Sequence, residues 1–286
     1  MWRFTPNKVS LGLAAQRAVL GVVRAAARID EYVMPHAAQV AGAAATMANP
    51  VSAATTAAPA AAPSLRNWLA AQPLARASVN ISVANVLTHH LLVTKNRAVA
   101  HYRERDGYAR AMVEEAFGLD GSAWHIAADD DPFAAQFLAV AMPRSTLDDA
   151  RAGLAAARAK ARSVQSFFTR EWNTWRKPIG TAPCWFVVIE PDCAMVARVQ
   201  RGRIASLRTL RGAVESPAAL VRDIEREALM TLCTAAPRTV CVTGEALFAQ
   251  ASLTLDGYTL HRPDAAAPAP FAGIERARAR LLWSAW

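Results

Sequence analysis

Residues 184–199 read CWFVVIEPDCAMVARV: an apolar run, a short acidic turn and a second apolar run. Apolar runs of this length, bounded by turn residues such as Pro, are typical of buried β-strands. The stretch therefore predicts strands at 184–189 and 194–199, joined by a turn at 190–192. Residues 9–24, VSLGLAAQRAVLGVVR, have the same plan near the start of the chain, with a polar kink between two apolar runs. The sequence thus predicts two hairpins of one kind.

The first hairpin has an alternative interpretation as a secretory signal, because residues 1–3 are followed by apolar residues. A signal peptide needs an uninterrupted apolar core. Gln16 and Arg17 interrupt this one, so the hairpin is the preferred interpretation.

The composition is that of a globular and rather apolar protein, with 286 residues, 53% of them hydrophobic and 19% charged. No run reaches the roughly 18 consecutive apolar residues of a membrane-spanning helix, so we expect attachment to a membrane only through a partner. The net charge is +9, but the basic residues are scattered, which does not favour nucleic-acid binding. The four cysteines lack CxxC spacing and are expected to be buried free thiols in a reducing cytosol.

Other elements of the first half follow from local signals. Residues 36–64 are uncharged and rich in Ala and Pro, which predicts a flexible linker or long surface loop. Ser64 is a candidate N-cap of a short helix, and residues 78–93 suggest two adjacent strands pivoting at Asn85. Ser145 is expected to cap a helix that runs to about residue 161. Further elements are expected as a helix at 99–117, strands at 124–127, 137–141 and 164–168, and a helix at 169–177, before Pro178 and Gly180 interrupt the chain.

The second half is predicted to continue with a strand at 204–210 and a helix capped by Ser216. The apolar face of that helix would comprise Leu220, Val221, Ile224, Ala228 and Leu232. A strand at 239–243, a short helix, a strand at 254–260 and a terminal helix at 274–286 are expected after it. Each half therefore begins with the same hairpin and later supplies a helix and a strand.

This duplication is a hallmark of the actin-like ATPase fold, which belongs to the ribonuclease H-like α/β class. Three stretches, 79–93 (VNISVANVLTHHLLV), 138–177 (LAVAMP to NTWRK) and 184–212 (CWFVVIEP to TLRG), resemble PilM-like and GspL-like proteins. The resemblance implies two actin-like lobes, at 1–178 and 179–286. It also implies a cytoplasmic component of a type IV pilus or type II secretion machine. Such proteins act mainly as scaffolds that hold a short segment of a bitopic inner-membrane protein and contact an assembly ATPase.

A nucleotide site of this fold needs a carboxylate, a glycine and small hydroxylated residues on the first hairpin, where backbone N–H groups surround the phosphates. Here Gly12 takes the carboxylate position, and Ala14 and Ala15 replace the small polar residues. The second hairpin keeps Glu190 and Asp192 but places Pro between them. The chain also lacks a GxxxxGK[ST] motif. We therefore expect a degenerate nucleotide site, no ATP hydrolysis, no catalytic residue and no cofactor.

The alternative is an actin-like protein that still binds ATP, and the candidate residues would then be Gly12, Gln16, Glu190 and Asp192. A basic nucleic-acid-associated protein is the weakest of the three hypotheses.

No metal site is expected either. Residues 129–131 are three aspartates followed by Pro, which is typical of a solvated turn. His89 and His90 are neighbours in a predicted strand, so their side chains should point to opposite faces. Asp148 and Asp149 suit the first turn of a helix, where carboxylates favour the macrodipole.

Trp172 and Trp175 share one face of a predicted helix. They either pack between the lobes or form an aromatic anchor for a partner. The sequence as a whole predicts a non-catalytic cytoplasmic scaffold, peripheral at the inner membrane. It would hold an extended peptide in the groove between the lobes or at a sheet edge.

Overall fold

The computed structural model describes residues 8–14, 17–23, 27–33, 64–96, 102–129, 135–233, 235–245, 247–248 and 250–263. In chain order the elements are β1 (Lys8–Leu13), β2 (Arg17–Val23), β3 (Ala27–Val33), α1 (Leu65–Ala70), β4 (Ser78–Val83), a 3-10 helix (Asn85–Leu87), β5 (His89–Thr94), α2 (Tyr102–Phe117), β6 (Trp124–Ala128), β7 (Gln136–Pro143), α3 (Arg144–Ala156), β8 (Lys160–Ser166), α4 (Phe167–Ile179), β9 (Cys184–Glu190), β10 (Cys193–Gln200), β11 (Arg203–Arg211), α5 (Pro217–Met230), β12 (Thr239–Gly244), β13 (Ser252–Leu255) and β14 (Tyr258–His261).

Two sheets repeat one topology. The first has the order β3-β2-β1-β4-β8, in which β1, β2 and β3 form an antiparallel meander and β4 and β8 run parallel to β1. The second has the order β11-β10-β9-β12-β14-β13, with the same meander and with β12 and β14 parallel to β9. In both sheets the first parallel strand follows the meander through a helix, α1 or α5. The predicted duplication is therefore present in the strand order.

A three-stranded antiparallel sheet, β5-β7-β6, is inserted between β4 and α3. Helix α2 contacts all three of its strands. A small core of its own joins Val113 of α2 to Val93 and Phe137 of the sheet. The insertion therefore forms a separate layer beside the first lobe.

The largest core runs without interruption from the five-stranded sheet to the six-stranded sheet. It extends from Leu11 and Ile81 of the first sheet through Phe168 and Trp172 of α4 to Phe186 of β9. The opposite face of the second sheet packs against α5 in a separate apolar cluster. Helix α4 thus joins the lobes through burial of large apolar side chains, the main favourable term in folding.

Several local predictions are confirmed. Ser64 and Ser216 cap α1 and α5, accepting the backbone N–H groups of Asn67 at 3.3 Å and Ala219 at 3.2 Å. The hairpin β9–β10 lies within one or two residues of the expected bounds. Helix α2 ends at Phe117, as predicted, and Gly118 follows it at a φ of +63°, the left-handed conformation that glycine commonly adopts after a helix.

The two strands predicted in 78–93, with a pivot at Asn85, are confirmed as β4 and β5. They do not pair with each other, because the 3-10 helix at Asn85–Leu87 turns the chain into a different sheet. Other local predictions are wrong. Ser145 does not cap α3: the helix begins at Arg144, and Pro143 occupies the cap position. Helix α3 ends at Ala156 because β8 begins at Lys160. The expected strand at 164–168 is displaced, since residues 167 and 168 already belong to α4.

Gly180 ends α4 as expected, at a φ of +73°, whereas Pro178 lies within the last turn of the helix. Two further expectations fail near the ends of elements. Leu232 lies beyond α5 and is 86% exposed. In place of one strand at 254–260, β13 and β14 form a hairpin through Asp256 and Gly257, both at positive φ.

The described residues between β12 and β13 contain no helix. The predicted linker, apart from Ser64, and the predicted terminal helix lie outside the described residues.

Candidate functional site

Among the described side chains of the first hairpin the only polar one is that of Ser10, which is buried. Gly12 lies in β1, where it pairs with Val19 of β2 and Ser82 of β4. Leu11 and Leu13, on either side of it, are fully buried. Gln16 lies outside the described residues. Residues 12–17 contain no Asp or Glu, so this turn has no carboxylate for a cation.

The second hairpin separates its two carboxylates. Glu190 ends β9 and is buried, whereas Asp192 in the turn is exposed. One carboxylate oxygen of Glu190 accepts the backbone N–H of Asn85 at 2.7 Å, and the Cys193 thiol donates to the same oxygen at 3.4 Å. The two residues predicted as a pair therefore have different environments, and only Asp192 faces water.

Burial raises the pKa of Glu190 to about 7, because desolvation penalises its charged form. The hydrogen bonds from Asn85 and Cys193 and the guanidinium of Arg170 act in the opposite direction. Burial also lowers the pKa of Arg170 to about 10. Desolvation therefore favours the neutral form of both groups, and Arg170 nevertheless keeps its charge at neutral pH.

A buried polar network surrounds this carboxylate and links it to α4. The side-chain oxygen of Asn85 accepts the backbone N–H of Phe168 at 2.8 Å. Ser166 caps α4 by accepting the N–H of Thr169 at 3.1 Å, and its hydroxyl lies 2.8 Å from Nε2 of His90. Sequence reasoning missed Asn85, Ser166 and Arg170, because their partners are remote along the chain and no local motif marks them.

The adjacent histidines point to different environments, as their strand position predicted. His90 is buried beside Ser166, and burial lowers its pKa to about 3. His89 lies against the rings of Phe117 and Trp124, at centroid distances of 4.8 and 5.0 Å. They do not share one site.

The other acidic candidates are Asp129 to Asp131 and the pair Asp148 and Asp149, and the latter pair lies in α3. Asp130 and Asp131 lie outside the described residues. Asp148, in α3, is 3.9 Å from Arg151. No group of three or more His, Cys, Asp or Glu with metal-binding geometry occurs among the described residues.

The two tryptophans of α4 differ in exposure. Trp172 is buried in the core between the lobes, with its ring centroid 5.4 Å from that of Phe186. Trp175 is half-buried at the edge of the same core and donates its indole N–H to Glu171 at 3.2 Å. Trp172 thus packs between the lobes, and Trp175 is the one with surface available.

No protein-family model and no curated protein matches this chain. Solved structures do. A Bacteroides thetaiotaomicron protein of unknown function with an actin-like ATPase fold aligns at a TM-score of 0.52 and 10% identity, covering 86% of each chain. A chain of the PilM–PilN type IV pilus biogenesis complex aligns at a TM-score of 0.53 and 10% identity, covering 82% of this chain and 80% of that one.

The chain has the actin-like ATPase fold. The cytoplasmic domain of EpsL, an inner-membrane component of the type II secretion system of Vibrio cholerae, also aligns, at a TM-score of 0.45 and 9% identity over 85% of each chain. At identities near 10% these likenesses describe the fold alone. Within that fold, β1–β2 and β9–β10 are equivalent hairpins, and the predicted fold class is confirmed.

Proposed function

We propose that this protein is a non-catalytic scaffold of a type IV pilus or type II secretion-like assembly. It would work in the cytoplasm at the inner membrane and hold a short cytoplasmic segment of a bitopic membrane protein. Contact with the assembly ATPase is part of the same proposal. No helix among the described residues combines the length and apolarity needed to cross a bilayer.

The single observation that carries the non-catalytic part of this proposal is that the Glu190 carboxylate is buried and hydrogen-bonded within the protein. A divalent cation such as Mg²⁺ needs oxygen ligands that can reach it. Glu190 instead directs its carboxylate into the protein, onto the N–H of Asn85 and the thiol of Cys193. The first hairpin offers no carboxylate to replace it.

The residues present therefore do not fit a bound Mg²⁺–nucleotide. Asp192 is the only acidic residue of the two turns that remains exposed, and Pro191 beside it has no backbone N–H to donate to a phosphate.

An exposed sheet edge favours the binding part of the proposal. Strand β6 is an edge of the three-stranded sheet, and its residues are half-buried or exposed. Unpaired edge backbone can accept an extended peptide as an added strand. The half-buried ring of Trp124 lies on this strand. Burial, and after it the guanidinium groups of Arg151, Arg144 and Arg110, lower the pKa of His125 beside it. A peptide with apolar and acidic side chains would suit this edge.

Two measurements test the proposal. Thermal unfolding with and without millimolar Mg²⁺–ATP should give the same midpoint, since a ligand that binds only the native state raises it. A rise of several degrees would overturn the expectation of a degenerate nucleotide site in favour of the ATP-binding alternative.

Peptide binding is measured with a fluorescein-labelled peptide covering the cytoplasmic segment of the bitopic protein encoded nearest to this gene. We expect saturable binding that Trp124→Ala weakens at least tenfold. Trp175→Ala is the matched control, because it removes a half-buried indole from α4. Loss of binding in Trp175→Ala alone would show that the peptide binds at α4. The absence of binding to the unmodified protein would contradict the scaffold proposal.

A further inference from the structure

Glu190 and Asn85 connect the two lobes through one buried hydrogen bond. Glu190 ends β9 of the second sheet, and Asn85 begins the 3-10 helix that follows β4 of the first sheet. The carboxylate oxygen and the backbone nitrogen are 2.7 Å apart, although the residues are separated by 105 positions. The contact is tertiary and spans the space between the lobes.

The same asparagine is bound on its other side. Its side-chain oxygen accepts the N–H of Phe168 at 2.8 Å, in the first turn of α4. Asn85 is 1% exposed and Phe168 is fully buried. One residue therefore ties the second sheet, the first sheet and the connecting helix together.

The free-energy cost of burying the Glu190 carboxylate indicates that its contacts are specific. An ionised carboxylate in apolar surroundings is unfavourable unless hydrogen bonds and an opposite charge compensate it. Here the compensation comes from the Asn85 amide, the Cys193 thiol and the nearby Arg170 guanidinium. If the lobes separated, the Asn85 amide and the Glu190 carboxylate would both lose this partner.

We infer that Glu190 is an interlobe latch. By accepting the amide of Asn85, its carboxylate holds the two lobes of this actin-like fold in one relative arrangement without a ligand between them. Two-lobed proteins commonly close around a ligand by hinge or shear motion. In this chain an internal side chain adds a polar bridging contact to the apolar core that α4 shares between the lobes, so their relative arrangement needs no ligand. This inference is independent of the proposed partner and of its binding edge.

The experiment measures the distance between the lobes in the full chain. Spin labels are placed on a genetically encoded keto amino acid at Asn67 and Arg222, exposed residues of α1 and α5. A keto label avoids the four native thiols. Pulsed electron–electron resonance then gives the distribution of distances between the two helices.

We expect one narrow distribution for the unmodified protein, unchanged by millimolar Mg²⁺–ATP. Glu190→Ala should broaden it and move its mean by several ångströms. Asp192→Ala is the matched control, because it removes the exposed carboxylate of the same turn, and it should leave the distribution unchanged. Coincident distributions for Glu190→Ala and the unmodified protein would overturn the latch, whatever happens to the unfolding temperature.

A second variant covers the case in which Glu190→Ala does not fold. Glu190→Leu keeps the buried volume and removes the acceptor, so its core remains packed. Hydrogen exchange at the Asn85 amide should be at least tenfold faster in Glu190→Leu than in Asp192→Ala. An unchanged exchange rate together with an unchanged distance distribution would refute the inference.

Discussion

Glu190 accepts the backbone amide of Asn85 at 2.7 Å, and this bond places a buried carboxylate between the two lobes. Under the ATP-binding alternative, the hairpin that carries Glu190 would present its acidic residues to a nucleotide. Its buried carboxylate is instead committed to the protein's own backbone. The contact therefore connects the second hairpin to the first lobe.

The first prediction concerns pH. The pKa of Glu190 is raised to about 7 from a usual 4.5, so the native state retains a proton that the unfolded chain releases between those values. Its contribution to stability is full below pH 4.5 and is lost as the pH rises towards 7. The pKa of His90 is lowered to about 3 from 6.5, so its contribution is full above pH 6.5 and is lost as the pH falls.

Between pH 4.5 and 6.5, acidification strengthens the contribution of Glu190 to stability and weakens that of His90. Glu190→Gln removes the first contribution. Its free energy of unfolding should therefore fall more steeply with acidification across this window than that of the unmodified protein. Urea unfolding at half-unit pH intervals measures the difference, with Asp192→Asn as the control. Parallel profiles for Glu190→Gln and the unmodified protein would contradict the assignment of the raised pKa.

A second prediction concerns Gly244, which ends β12 at a φ of +90°. A Cβ there would collide with the carbonyl oxygen of Ile189, the residue before Glu190. Gly244→Ala should therefore cost about 3 kcal/mol or more, combining left-handed strain with overpacking.

Gly257→Ala is the control for that substitution. Gly257 has a φ of +75° but nothing within 4 Å of the added Cβ, so only strain remains, at about 1 kcal/mol. Equal losses of stability in chemical denaturation would show that the close approach to Ile189 is not the cause.

A third prediction separates the two tryptophans of α4. Trp172 is 9% exposed and packs against Phe186, so Trp172→Ala should destabilise the protein by about 3–5 kcal/mol. Trp175→Ala removes a half-buried ring and should cost about half as much, since less apolar area is lost. Denaturant unfolding measures both, and a smaller loss for Trp172 would argue against a packing role between the lobes.

A fourth prediction concerns the helix caps. Ser216→Ala removes one N-cap hydrogen bond from α5 and should cost about 1 kcal/mol. Ser166→Ala removes a similar cap from α4 and also leaves His90 without its 2.8 Å partner. A buried group without its hydrogen bond costs about 1–3 kcal/mol more, so Ser166→Ala should be clearly the more destabilising. Equal effects would show that the contact between Ser166 and His90 contributes nothing to stability.

Much of the local structure was predictable because its causes are local. The strands of β9–β10 follow from two continuous apolar runs around Glu-Pro-Asp, and the starts of α1 and α5 follow from Ser64 and Ser216. The position of Ser145 before an amphipathic segment gave the same signal, yet Pro143 at the end of β7 sets the start of α3. Local capping signals compete with the strand that precedes them, and the sequence does not show which prevails.

The amino-acid sequence by itself determined the repeated hairpin, the duplicated plan and the absence of a carboxylate on residues 12–17. These depend on residue type and on spacing within a few positions. Only the tertiary structure decided that Glu190 faces Asn85, that β4 and β5 belong to different sheets, and that Trp172 is buried while Trp175 is not. Each of these depends on contacts between segments remote along the chain, and burial and hydrogen bonding there are set by packing of the whole fold.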